Sequence, residues 1–259
     1  MKFVNAQGVE IPAIGIGTAR FDSNNRCREA VETALRVGYR HIDTAQMYGT
    51  EGAVGEAVAT ANVNRKDLFI TTKLDTGNRD YDSVINSTHE SLEALQLETA
   101  DLLLIHSPND TVALEETIDA MNELQDQGAV DHIGVSNFSV GQLRDAIELS
   151  ETPIVANQVE YHPYMDQSEL LKACVNENVT LTAYSPLDVG GVLDDPTLKG
   201  IGDQYGKTSS QVSLRWLLQQ EMVSTVPKSA DEEHIRENFD VFDFELTDEE
   251  MGDIFAIAE

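Results

Sequence analysis

The sequence predicts a closed (β/α)8 barrel, a TIM barrel, carrying a small N-terminal β-hairpin. Three observations predict it. The chain has 259 residues, close to the roughly 250 that one such barrel takes. Eight apolar runs of strand length recur along it, most of them separated by segments of helical period. Neither a low-complexity stretch nor a linker divides it, so residues 1–259 are expected to form a single domain.

The runs are AIGIG (13–17), HIDTA (41–45), LFITTKL (68–74), DLLLIHS (101–107), VDHIGVSN (130–137), IVANQVEY (154–161), TLTAYSP (180–186) and VSTVPKS (223–229). Helical period marks 27–38, 81–97, 113–128 and 209–220 between them. Strands alternating with helices favour a parallel sheet, and eight of them a closed one. Ahead of the first run, KFVNAQGVEI reads as a hairpin turning near Gln7 and Gly8.

Composition narrows the function classes. The chain is 41% hydrophobic, enough for a full core. Acidic residues number 46 against 17 basic, a net charge of −29 that repels nucleic acid and anionic membranes. The seven lysines are few, and the carboxylates are spread rather than blocked. That surface suits a salt-loving cytoplasm, because at molar salt the Debye length is only ~3 Å. No run of membrane-spanning length and no signal peptide is read, and Cys27 and Cys174 fit no metal spacing. The expectation is a reduced cytoplasmic monomer with no metal.

The strand ends carry the chemistry. In such barrels the site forms at the C-terminal face. Asp43 ends the second run, Lys73 the third and His106 the fourth, and Tyr48 follows Asp43 in a loop. Neighbouring strands lie about 4.8 Å apart, so side chains at one level of adjacent strands converge. An unpaired buried carboxylate is costly, which makes Lys73 the expected partner of Asp43. A phenol with a pKa near ~10 is a poor acid at neutral pH, and a neighbouring ammonium lowers that value. Asp43 would hold Lys73 charged, His106 would donate to a substrate oxygen, and Tyr48 would be the general acid. Hydride must then come from a nicotinamide cofactor, since no side chain supplies it.

RHIDTAQMYGTE (40–51) with Asp43, Tyr48, Lys73 and His106 in this order resembles the catalytic signature of the aldo-keto reductases. GVSNF (134–138), NQVEYHP (157–163), AYSPL (183–187) and VPKS (226–229) followed by Glu237 and Asn238 are similar to later motifs of that family, in particular of its small prokaryotic 2,5-diketo-gluconate-reductase-like type. The resemblance implies reduction of aldehydes and ketones with NADPH. It places Ser136, Asn137 and Gln158 on the nicotinamide carboxamide and Tyr184 against its ring. Ser185 and Leu187 would line the pyrophosphate path. Lys228 and Ser229 would meet the adenosine phosphate, with Glu237 and Asn238 near the adenine. Gly17 and Thr18 join the cofactor contacts, as does His234.

Departures from the family pattern shape the details. His234 stands where an arginine usually pairs with the 2′-phosphate, and Asp231, Glu232 and Glu233 precede it. Histidine is mostly neutral at pH 7, so NADP is favoured and NAD stays possible. Ala19 and Ser107 occupy positions that are often aromatic, Trp216 sits in a helical pattern, and no closing tail follows the last helix. An open, polar site is expected, taking small carbonyls, dicarbonyls or keto-sugars. The second reading is a catalytically quiet nicotinamide-sensing barrel acting as a binding subunit, which has no need of an intact Asp43–Tyr48–Lys73–His106 set.

Overall fold

The computed structural model describes residues 2–258. β1 (Phe3–Ala6) and β2 (Val9–Pro12) pair antiparallel across Gln7 and Gly8, whose φ values of 53° and 85° are the left-handed pair of a tight hairpin turn. Ala6 and Ile11 of this hairpin pack with Phe69, Leu102 and Val155 from the early part of the barrel strands. The hairpin therefore seals the N-terminal end of the barrel.

The barrel strands are β3 (Gly15–Gly17), β4 (His41–Asp43), β5 (Phe69–Leu74), β6 (Ala100–Ile105), β7 (Val130–Ser136), β8 (Ile154–Glu160), β9 (Thr180–Tyr184) and β10 (Val223–Thr225). All pair parallel in sequence order, and a parallel bridge from Ile14 to Thr225 joins the last to the first. The expected closed barrel is the observed fold. Several strands are shorter than the apolar runs that announced them. β10 ends before Pro227, which has no N–H for the ladder. Between β7 and β8 the register shifts from Ile133 to Val135, and Gly134 lies there; a Cβ on it would stand 2.7 Å from the Ala156 carbonyl oxygen.

The helices on the outside are α1 (Asn24–Val37), α2 (Glu51–Thr60), α3 (Tyr81–Leu95), α4 (Leu114–Asp126), α5 (Val140–Leu149), α6 (Ser168–Glu177), α7 (Pro196–Tyr205), α8 (Ser209–Gln219), α9 (Glu232–Phe239) and α10 (Asp248–Phe255). Local chemistry sets their ends. Asp80 caps α3, and Ser139 with Gln142 and Thr208 with Gln211 form capping boxes on α5 and α8. Trp216 of α8 is core, packed on Tyr161 with ring centroids 5.1 Å apart. Among the described residues, no helix is long and apolar enough to cross a membrane.

Register corrects one expectation about the site. Asp43 pairs with Thr71 rather than with Lys73, and Lys73 pairs with Leu104 rather than with His106. Each successive residue thus stands two positions further along its strand. The three are staggered, not level, as the shear of a closed barrel requires. A step of two preserves the face, so all three still point inward.

Candidate active site

Every residue of β5 is buried, including Lys73, because parallel barrel strands are covered on both sides. The Lys73 Nζ lies 2.5 Å from Asp43 Oδ1 and donates to the Thr44 carbonyl at 2.9 Å. The second Asp43 oxygen accepts from Gln158 Nε2 at 2.6 Å. The buried ion pair is thus hydrogen-bonded at both partners, the condition under which such a pair is tolerable. Burial pushes the Lys73 ammonium down from its ordinary value, and Asp43 opposes that shift.

Tyr48 ends a short 3-10 turn, Gln46–Tyr48, which Gly49 closes in the left-handed region. The turn is anchored to the β5 loop through Gln46, whose Oε1 accepts from the Asp75 amide at 2.7 Å. Its ring centre lies 5.1 Å from Lys73 Nζ and 5.6 Å from the His106 ring, which it meets edge-on. The structure therefore brings Asp43, Tyr48, Lys73 and His106 together at one mouth. It corrects the expected tuning of the phenol. Burial, and then the Asp43 carboxylate, raise the Tyr48 pKa above its ordinary value, with Arg20 opposing. The phenol holds its proton firmly across neutral pH.

His106 is brought down to about 4, by burial first and by the Lys73 charge next, so its imidazole is neutral. Its Nδ1 is buried without a partner, which leaves Nε2 as the nitrogen open to the mouth. Asn137 Nδ2 donates to the His106 carbonyl at 2.9 Å, and Asn137 Oδ1 accepts from the Tyr184 hydroxyl at 2.9 Å.

The residues expected around a nicotinamide form one hydrogen-bonded patch beside that mouth. Ser136 Oγ donates to the Gln158 carbonyl at 2.7 Å, and Asn137 adopts a φ of 62° that turns its side chain back onto Ser136. Tyr184 is half-buried next to them, a ring available for stacking. Thr18 is different. Its hydroxyl is buried against the Asp43 carbonyl (3.0 Å) and Thr50 (3.2 Å), so it braces β4 rather than facing the mouth. Gly17 closes β3 and donates to the Pro227 carbonyl at 3.0 Å.

Further along the same face, Ser185 and Leu187 are half-buried, with Ser185 at a φ of 47°. Lys228 is exposed with its ammonium 4.6 Å from the Phe21 ring centre, and Ser229 lies next to it. His234 is exposed on the first turn of α9, where Asp231 caps the helix. Arg236 is engaged by Glu232 at 2.7 Å. Glu237 and Asn238 follow on α9, the latter buried. This donor set fits a dinucleotide: amide and hydroxyl groups at one end, an aromatic face beside them, and the exposed Lys228 ammonium at the other.

Beside this path, His162 Nε2 lies 3.7 Å from Glu160 and 3.8 Å from Asp188. His162 Nδ1 accepts from the Tyr164 amide at 3.3 Å, and Nε2 faces the two carboxylates.

The Aldo/keto reductase family pattern matches residues 13–259. The chain belongs to the Aldo/keto reductase family. It is 40% identical over 256 residues to the uncharacterized oxidoreductase YtbE of Bacillus subtilis, covering 97% of this chain and 91% of that one. It is likewise 40% identical over 250 residues to the glyoxal reductase of the same organism, covering 96% and 90%. A crystal structure provisionally assigned as 2,5-diketo-D-gluconic acid reductase B superposes with a TM-score of 0.98 at 44% identity, covering all of this chain (100%) and 92% of the other. A Bombyx mori aldo-keto reductase in complex with NADP gives 0.93 at 35% identity, covering 99% and 92%. The chain is thus an oxidoreductase of the carbonyl-reducing kind. Sequence reasoning missed the Gln158–Asp43 bond and the buried Arg79 behind His106. No local signal marks the first, whereas the second had one: a cation in GNRDY (77–81), six residues after Lys73.

Proposed function

We propose that this aldo-keto reductase reduces small aldehydes, dicarbonyls and keto-sugars to alcohols, with Tyr48 as proton donor and NADPH as the favoured cofactor. The buried Asp43–Lys73 pair beneath the Tyr48 ring carries the reading. When bound, the nicotinamide supplies hydride to the carbonyl carbon. The chain's own groups do the rest. His106, neutral and open at Nε2, donates a hydrogen bond to the carbonyl oxygen and orients it. Tyr48 keeps its proton until negative charge grows on that oxygen, then transfers it. Lys73, held by Asp43, the Thr44 carbonyl and its place in β5, stabilises the phenolate left behind. Ser136, Asn137 and Gln158 hold the carboxamide, and Tyr184 supports the ring.

Lys228 and Ser229 favour the 2′-phosphate, whereas His234 and the carboxylates around it weaken that preference. The acidic surface supports work at high salt, in a cytoplasm. Absorbance at 340 nm, followed with NADPH and NADH across a panel of aldehydes and keto-sugars in high potassium chloride, tests the reading. Turnover that survives Tyr48→Phe removes the proton-donor assignment, and an equal or better kcat/KM with NADH removes the cofactor preference.

A further inference from the structure

Arg79 carries a charge that the reaction above does not use. It lies in the loop between β5 and α3, its backbone pinned by Thr117 Oγ1, which donates to the Arg79 carbonyl at 2.6 Å. Its side chain is only 2% exposed. One guanidinium nitrogen, Nη2, donates to the Ser107 carbonyl at 3.1 Å, next to His106. The other two, Nε and Nη1, are buried with no partner among the described residues. Asp75 is the carboxylate whose field reaches this group, yet its Oδ1 serves Thr76 and the Gly77 amide, and it makes no ion pair with Arg79. The field of Arg79 in turn reaches His106, together with those of Lys73, Asp43 and Asp75.

Two buried cationic donors without acceptors are expensive to keep. In a chain of net charge −29, a carboxylate to satisfy them was easily available from the protein itself. Ser107, half-buried beside His106, carries a small side chain at this wall. The loop after β5 and the loop after β6 also meet at an exposed contact, Asn109 Nδ2 donating to the Thr76 carbonyl at 3.1 Å. Parting the loops there breaks this bond and the Arg79–Ser107 bond, each worth about 1 kcal/mol net, or about 1.5–3 kcal/mol for a charged donor.

We propose that Arg79 is a specificity residue that receives the carboxylate of an anionic carbonyl substrate, a 2-oxo acid or keto-sugar acid, seated against Ser107 with its carbonyl at His106. This rests on the reductase reading above. The competing role is a strut, in which Arg79 only ties the β5 loop to Ser107.

The test compares the intact enzyme with Arg79→Met and Arg79→Lys, in matched potassium chloride. Glyoxylate and methylglyoxal serve as charged and neutral substrates, and oxalate as a non-reacting anion. With Arg79→Met, the ratio of kcat/KM for glyoxylate to that for methylglyoxal falls at least tenfold, and Arg79→Lys restores part of it. Oxalate raises the Tm of the wild type and inhibits competitively against the carbonyl compound; neither effect survives in Arg79→Met. The Tm of Arg79→Met without ligand is equal to the wild type or higher, because a buried charge without a partner has been removed. A lowered Tm with an unchanged ratio shows a strut and overturns the proposal. A Tm shift given equally by chloride alone also overturns it. If no carbonyl is reduced at all, the reductase reading fails, and the oxalate arm still decides the anion site.

Discussion

Replacing Lys73 by methionine tests how the site is held together. The substitution keeps the length of the side chain and removes its charge, leaving Asp43 buried with Gln158 as its remaining side-chain donor. Two unit charges 2.5 Å apart attract by roughly 7 kcal/mol at an effective permittivity near 20. Desolvation offsets much of that in the intact pair. Breaking a buried pair from one side nevertheless costs about 3–5 kcal/mol, because the survivor stays buried without its counter-charge. At about 2–4 °C per kcal/mol for a domain of this size, Tm falls by about 6–20 °C.

The double variant Asp43→Asn/Lys73→Met removes both charges of the pair and regains at least half the loss. Urea and thermal unfolding of wild type, single and double variants at pH 7.5 measure both. A single variant within about 1 kcal/mol of wild type at pH 7.5, or a double variant no better than the single, refutes the account.

Tyr48→Phe lowers kcat for carbonyl reduction by about 10²–10⁴ while cofactor affinity, followed by nicotinamide fluorescence, changes little. His41, buried with its pKa brought down to about 4 by burial, stays neutral in the fold while the unfolded chain binds a proton below ~6.5. Stability is therefore full above pH 6.5 and is lost as pH falls toward 4, by about 3 kcal/mol from this residue; half-exposed His106 adds in the same direction. Denaturant titrations across that range check it, and His41→Asn flattens the slope. His234→Arg raises the ratio of kcat/KM for NADPH over NADH by about tenfold, the worth of one charge-assisted contact to phosphate.

The barrel was legible in the sequence because parallel strands buried on both sides leave continuous apolar runs, and FITTKL within LFITTKL is the clearest of them. The hairpin turn at Gln7 and Gly8 was legible for the same local reason, as few residues accept the left-handed pair. α2 was not, since Gly52, Gly55 and Thr60 obscure its period; Gly55 serves packing, as a Cβ there would lie 2.7 Å from the Leu95 carbonyl. α9 and α10 are short and acidic, and their caps, Asp231 and Thr247, look like ordinary surface residues in the sequence. At the site, residue types in order revealed Asp43, Tyr48, Lys73 and His106. The stagger between them was hidden because register belongs to the ladder. The raised pKa of Tyr48 was hidden because burial is the joint product of many distant residues.

The hairpin at the far end separates the upkeep of the barrel from its chemistry. Four residues on each side of a turn cover the base, where Ala6 and Ile11 lie against Phe69, Leu102 and Val155. Trimming it bares those apolar side chains to water and leaves the rim that carries Tyr48 and Tyr184 intact, so the loss falls on the fold rather than on the site.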